Sequence, residues 1–214
     1  MLVGPGTATV QPALDVLVLA AGRRSCVGID LRSGALVRTH EPRSNGDLLR
    51  PFDTARATIA RTQIDRPEQP EAIAVETPLA RTGSMFGWRV DRVLRNVSHP
   101  EHKPLFGSAS PALPFWTLDG DRPSVSVLAV NSGVSVCVDA RGVRCRFPWN
   151  NATVDLPLED TSVLAMLDWL PDSPLHGMRL ARAIGFQPKR LVVALSRPFQ
   201  GYCYKVVAGL LPSP

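Results

Sequence analysis

The chain has 214 residues, 44% of them hydrophobic, a net charge of +5 and four cysteines. That apolar content supports a buried core and excludes global disorder. The 20 prolines exclude a helix bundle, because proline removes a backbone donor and breaks helix interiors. Of the 24 basic residues only Lys103, Lys189 and Lys205 are lysine. The rest are arginine, the side chain suited to phosphate forks and to stacking on bases. Residues 1–110 carry +3 and residues 111–214 carry +2, so there is no basic tail, and any polyanion surface must be assembled by folding.

In chain order, residues 1–12 read as a leader of Gly, Pro and Thr. Residues 16–20, 26–31 and 35–40 then read as three short strands. Gly22-Arg23-Arg24-Ser25 and Arg32-Ser33-Gly34 form the corners, where Gly supplies positive φ and the β-branched runs fit a pleated sheet. Residues 54–64 alternate imperfectly as a fourth strand, and 72–76 make a fifth. A helix is expected within 83–97, with Ser84 as N-cap, because Phe86, Val90, Val93, Leu94 and Val97 share one face. Arg89, Arg92 and Arg95 are spaced by three on the opposite flank. They read as a solvated face with Asp91 as ion-pair partner.

Residues 98–121 are Pro-rich and aperiodic, the best position for a boundary. His99 and His102 within them read as surface loop histidines rather than metal ligands, since no companion ligand set follows. A second meander comes next, over 124–130, 134–140 and 143–147. Arg144 and Arg146 share one strand face, with Val143, Cys145 and Phe147 opposite. Two adjacent guanidiniums are a natural phosphate contact, although a half-buried sheet produces the same pattern without a ligand. A strand over 153–158 leads to a short helix capped by Asp160 and to a second helix ending at Gly185. Two apolar arms, 190–196 and 202–211, close the chain as a hairpin. Tyr202 and Tyr204 lie on one face of the second arm, placed either to stack bases or to pack on the core.

Cys26, Cys137, Cys145 and Cys203 form no CxxC pair and read as small core residues, with a cross-hairpin disulfide between Cys137 and Cys145 as the alternative. No basic leader precedes an apolar run and no stretch approaches membrane-spanning length. A cytoplasmic chain without membrane contact or cofactor is therefore expected. No Walker loop, GxSxG, HExxH or paired-carboxylate helix is present, which argues against an enzyme.

Two successive sets of about five short strands, divided by a helix, have the element count of an oligonucleotide/oligosaccharide-binding (OB) barrel. SH3-like barrels and sandwiches give similar counts. The opening VLVLAAGRRSCVGIDLRSGALVRTHEP resembles the start of the dual OB-containing domain of prokaryotic conflict and defence systems. Cys26, Val27, Gly28, Ile29, Gly34, Val37 and Arg38 carry that resemblance over about 30 residues. It implies a nucleic-acid-recognition module, acting beside a partner protein of the same system. The expectation is thus a mainly β protein of two tandem OB-like barrels with a few short helices, one barrel over 13–110 and one over 111–214. It would bind single-stranded or structured RNA or DNA without catalysis. Arg24, Arg38, Arg144 and Arg146 would contact phosphates, and Tyr202 and Tyr204 would stack bases. The alternatives are a protein-interaction adaptor and a small-ligand or nucleotide sensor.

Overall fold

The computed structural model describes residues 12–22, 25–40, 49–62, 65–130, 132–167 and 174–214. Among them the protein is mainly β, with three short helices.

In the first half, β1 (Ala13–Ala21), β2 (Ser25–Asp30) and β3 (Leu36–His40) form an antiparallel meander. β4 (Asp53–Thr58) returns to the free edge of β1, and β5 (Ala72–Ala74) lies parallel to β3. Ile59 bridges Val75, and Ala60 N–H donates to the Ala74 carbonyl at 2.9 Å. The continuation of β4 therefore reaches the continuation of β5, and the sheet curls until its two ends meet. β6 (Ala80–Ser84) extends the same path along β4. Gly83 and Ser84, expected to begin the helix, are thus strand. Ser84 hydrogen-bonds Asp53 instead of capping, and α1 (Trp88–Val97) starts four residues later behind Gly87.

After α1, β7 (Ala112–Pro114) lies within the Pro-rich connection. The second half continues through β8 (Val125–Ala129), β9 (Ser135–Asp139), β10 (Gly142–Trp149) and β11 (Ala152–Pro157). α2 (Thr161–Met166), the two-residue β12 (Leu175–His176) and α3 (Gly177–Ile184) follow. The chain closes with β13 (Arg190–Leu195) and β14 (Tyr202–Leu211). β9, β10 and β11 pair in sequence order, Leu158 beyond β11 bridges Val207 of β14 in parallel, and β14 pairs β13, which pairs β8. β8 and β9 are consecutive in the chain but belong to different sheets. Asp160 caps α2 by accepting from the N–H groups of Ser162 and Val163, and Gly185 ends α3 with φ of 80°.

Strand alternation sorts the interior into three clusters. Leu14, Val16, Val18, Cys26, Val37, Ala55 and Ala57 fill the first half. Leu128, Val136, Cys145, Phe147, Leu191, Val193, Cys203 and Val207 belong to the larger cluster of the second. A third cluster joins the halves: Leu17 and Leu19 of β1 and Val90 and Leu94 of α1 meet Val125, Val127, Val192, Ala194 and Val206. β1 is consequently apolar on both faces, which explains its unbroken run from Val16 to Ala20. A bulge between Val18 and Ala20 turns Leu19 and Ala20 both toward the second half.

Two glycines make these approaches feasible. A Cβ on Gly28 would lie 2.2 Å from Val16 Cγ1 and 2.6 Å from the Leu17 carbonyl oxygen. A Cβ on Gly209 of β14 would lie 2.8 Å from Ala20 Cβ, where the two halves touch. All four cysteines are free, so the Cys137–Cys145 disulfide is not formed. Burial in apolar surroundings pushes the Cys145 thiol up to about 12, consistent with a core role. No helix among the described residues is long and apolar enough to cross a membrane.

Candidate nucleic-acid interface

The arginines singled out by sequence have three different fates. Arg24 lies outside the described residues. Arg38 is buried between the halves. It donates to the Leu195 carbonyl at 2.9 Å and the Ser124 carbonyl at 3.2 Å, both in the second half, and its Nε is 3.7 Å from Glu71 Oε1. Glu71 in turn accepts from the Ser124 N–H at 3.1 Å and from its hydroxyl. Burial lowers the Arg38 pKa, while Glu71 and Glu159 oppose that shift. This side chain fastens one half to the other and is enclosed away from any incoming phosphate.

Arg144 and Arg146 do stand together, on the outer face of β10. Both are tied to Asp155 of β11: Arg144 Nε at 2.9 Å and Arg146 Nε at 3.1 Å. Arg144 also donates to the Asp155 carbonyl at 2.8 Å and is nearly covered, whereas Arg146 keeps 43% of its side chain exposed. Two guanidiniums share one carboxylate, which leaves one positive charge locally. The pair is a cross-strand ion cluster with Arg146 at its open end.

Tyr202 and Tyr204 are placed as their alternation implies. Both project outward from β14, and Cys203 and Lys205 turn inward. Their surroundings were not legible in the strand pattern. β7 pairs with the start of β14, Tyr202 opposite Pro114 and Tyr204 opposite Ala112. The turn that follows β7 carries Phe115 and Trp116 back over the strand. The Trp116 ring lies 5.9 Å from Tyr202 and 5.6 Å from Phe115, centroid to centroid. It rests on Gly201, where a Cβ would come within 3.2 Å of the indole. Gln200 and Gly201, at φ of 50° and 85°, form the tight tip of the β13–β14 hairpin and place Phe199 beside Tyr202. Trp116 is 64% and Phe199 63% exposed. Five aromatic residues therefore form one exposed surface, pinned by the Phe115 N–H to Gly201 carbonyl bond at 3.1 Å.

The hairpin that carries Phe199 and Tyr202 also carries a cation. Arg197, on the same hairpin, is exposed, with one nitrogen 3.5 Å from His40 Nδ1. His40 Nε2 is 3.2 Å from Gln69 Oε1. Burial, followed by the nearby charges of Arg66, Arg197 and Arg38, pushes the His40 pKa down. A neutral imidazole accepting from Arg197 and donating to Gln69 satisfies both contacts.

His99 packs near Trp149 and its Nε2 is 3.3 Å from the Lys103 carbonyl oxygen. Among the described residues no group of three or more His, Cys, Asp or Glu is placed to hold a metal ion. No family model matches the sequence, and no curated protein or solved structure matches it significantly.

Sequence reasoning missed Phe115, Trp116, Phe199 and Arg197. The signal was present: a Phe-Trp pair in an otherwise small and polar connection, and a Phe at a hairpin tip. Both segments were read as connections rather than as surfaces.

Proposed function

We propose that the protein is a non-catalytic, single-stranded nucleic-acid-binding module, and that each half is an OB-type barrel. The support for the barrels is strand order. In the first half β1 pairs β2 and β4, β2 pairs β3, and β3 runs parallel to β5. The second half follows the same order when β8, which pairs β13, and β9, which pairs β10, are taken together as its first strand; β10 pairs β11, Leu158 beyond β11 bridges β14 in parallel, and α2 and α3 lie between β11 and β13. OB barrels bind oligonucleotides across the second and third strands and at the loop between the fourth and fifth. In the second half that loop is the β13–β14 hairpin tip, which bears Arg197 and Phe199.

The observation that carries the binding reading is the exposed aromatic surface of Phe115, Trp116, Phe199, Tyr202 and Tyr204, with Arg197 on the hairpin that carries Phe199. Every base has a π-face, so stacking on such a surface contributes about 1–3 kcal/mol per base with little sequence preference. Arg146 supplies a further cation on the outer face of β10. The test is fluorescence-anisotropy titration with labelled oligothymidylate and oligouridylate across a salt series. Binding at low salt that weakens linearly in log–log form is expected. No binding at low salt removes the reading and leaves the aromatic surface to a protein partner.

A further inference from the structure

The basic flank of α1 has lost the counter-ion that the sequence offers it. Asp91, the only acidic residue of the helix, is turned away to Arg190 on β13, with an O–N distance of 2.7 Å. Arg89, Arg92 and Arg95 are exposed, and none has a carboxylate partner among the described residues. The Arg89 guanidinium sits 5.7 Å over the Trp88 ring, and Trp88 is itself 67% exposed. Arg95 reaches only the Asp91 carbonyl, at 3.4 Å. Side chains three residues apart leave an α-helix about 5–6 Å apart. Like charges at this spacing destabilise an isolated helix, so the ridge has an electrostatic cost with no return among the described residues. A partner with closely repeated negative charge reverses that sign. All three residues are arginine, whose planar fork fits phosphate oxygens.

We propose that Arg89, Arg92 and Arg95 form a second nucleic-acid contact, a ridge that holds the phosphate backbone while the β7–β14 aromatic surface holds bases. This rests on the reading above for the identity of the polymer. The two contacts differ in physics, so they separate experimentally. Counterion release belongs to the ridge, and stacking belongs to the aromatic surface.

The experiment compares the wild type with R89Q/R92Q/R95Q and R89K/R92K/R95K in anisotropy titrations on labelled oligothymidylate across salt, with thermal melts to confirm folding. The glutamine variant is expected to flatten the log–log salt slope by about 2, at 0.7 per phosphate on a single strand. The lysine variant keeps the charge and should keep the slope. A glutamine variant that binds with the wild-type slope overturns the ridge and leaves the aromatic reading standing. A wild type that does not bind at all overturns both. Vesicles containing phosphatidylglycerol provide the other arm: vesicle binding lost in the glutamine variant, with the oligonucleotide slope unchanged, makes the flank a membrane contact and overturns the proposal.

Discussion

The two halves are both built on curled, mainly antiparallel sheets and spend their outer faces differently. In the first half the outward residues of β1, Leu17 and Leu19, are buried against the second half, and Arg38 of β3 reaches across to Ser124 and Leu195. In the second half Arg146 of β10 and Tyr202 and Tyr204 at the start of β14 remain at the surface, while Val206 further along β14 enters the join. The same residue type thus has opposite uses. An arginine enclosed with Glu71 holds the protein together, and an arginine on an open strand face pairs with Asp155 yet stays exposed. On the proposed reading the sheet of the first half serves stability and the aromatic surface of the second serves recognition, and variants can break that division.

The largest effect is expected at Gly28. Replacement by Val drives a branched Cβ into Val16 and the Leu17 carbonyl, which should cost about 4 kcal/mol or prevent folding, as read by urea denaturation. Removing the counter-charge of Arg38 comes next. Glu71→Ala leaves a buried guanidinium with less compensation and should cost about 3 kcal/mol. Affinity per folded molecule should stay unchanged, because neither residue belongs to the aromatic surface. In the second half the pattern inverts. Trp116→Ala or Tyr202→Ala should weaken oligonucleotide binding by about 1–3 kcal/mol while shifting stability by only about 0.5 kcal/mol.

A smaller effect concerns pH. Burial pulls Lys205 from 10.5 down to about 8. Between those values the unfolded chain binds more protons than the folded one, so stability rises with pH across that window and the cost of the buried ammonium is present below it. Lys205→Met should flatten the denaturation midpoint between about pH 8 and 10.5. A slope that survives the substitution assigns it to another group.

Much of this fold was legible because strand alternation is a local signal. Val134, Val136 and Val138 against Ser135, Cys137 and Asp139, the Asp160 cap and the Gly185 stop all act within a few residues. The join between the halves was not legible. Nothing local distinguishes a strand buried on both faces by its own barrel from one buried by a neighbour, so Leu17 and Leu19 gave no warning. Arg38 was misread for the same reason: its partners Ser124 and Leu195 are far away in sequence, and a strand arginine looks exposed until a second body covers it. Residues 98–121 look like a linker by composition, yet β7 and the Phe115-Trp116 turn inside them complete the aromatic surface. A three-residue strand has too little pattern to be seen without its partner.

The most direct test of the division is to titrate isotope-labelled protein with unlabelled oligothymidylate and follow the backbone amide resonances. The account predicts that the largest shifts cluster at residues 112–117 and 196–204, with a second group along α1 and those of β1 and β3 unmoved. Shifts concentrated on β1 to β5, or none at saturating oligonucleotide, would contradict it.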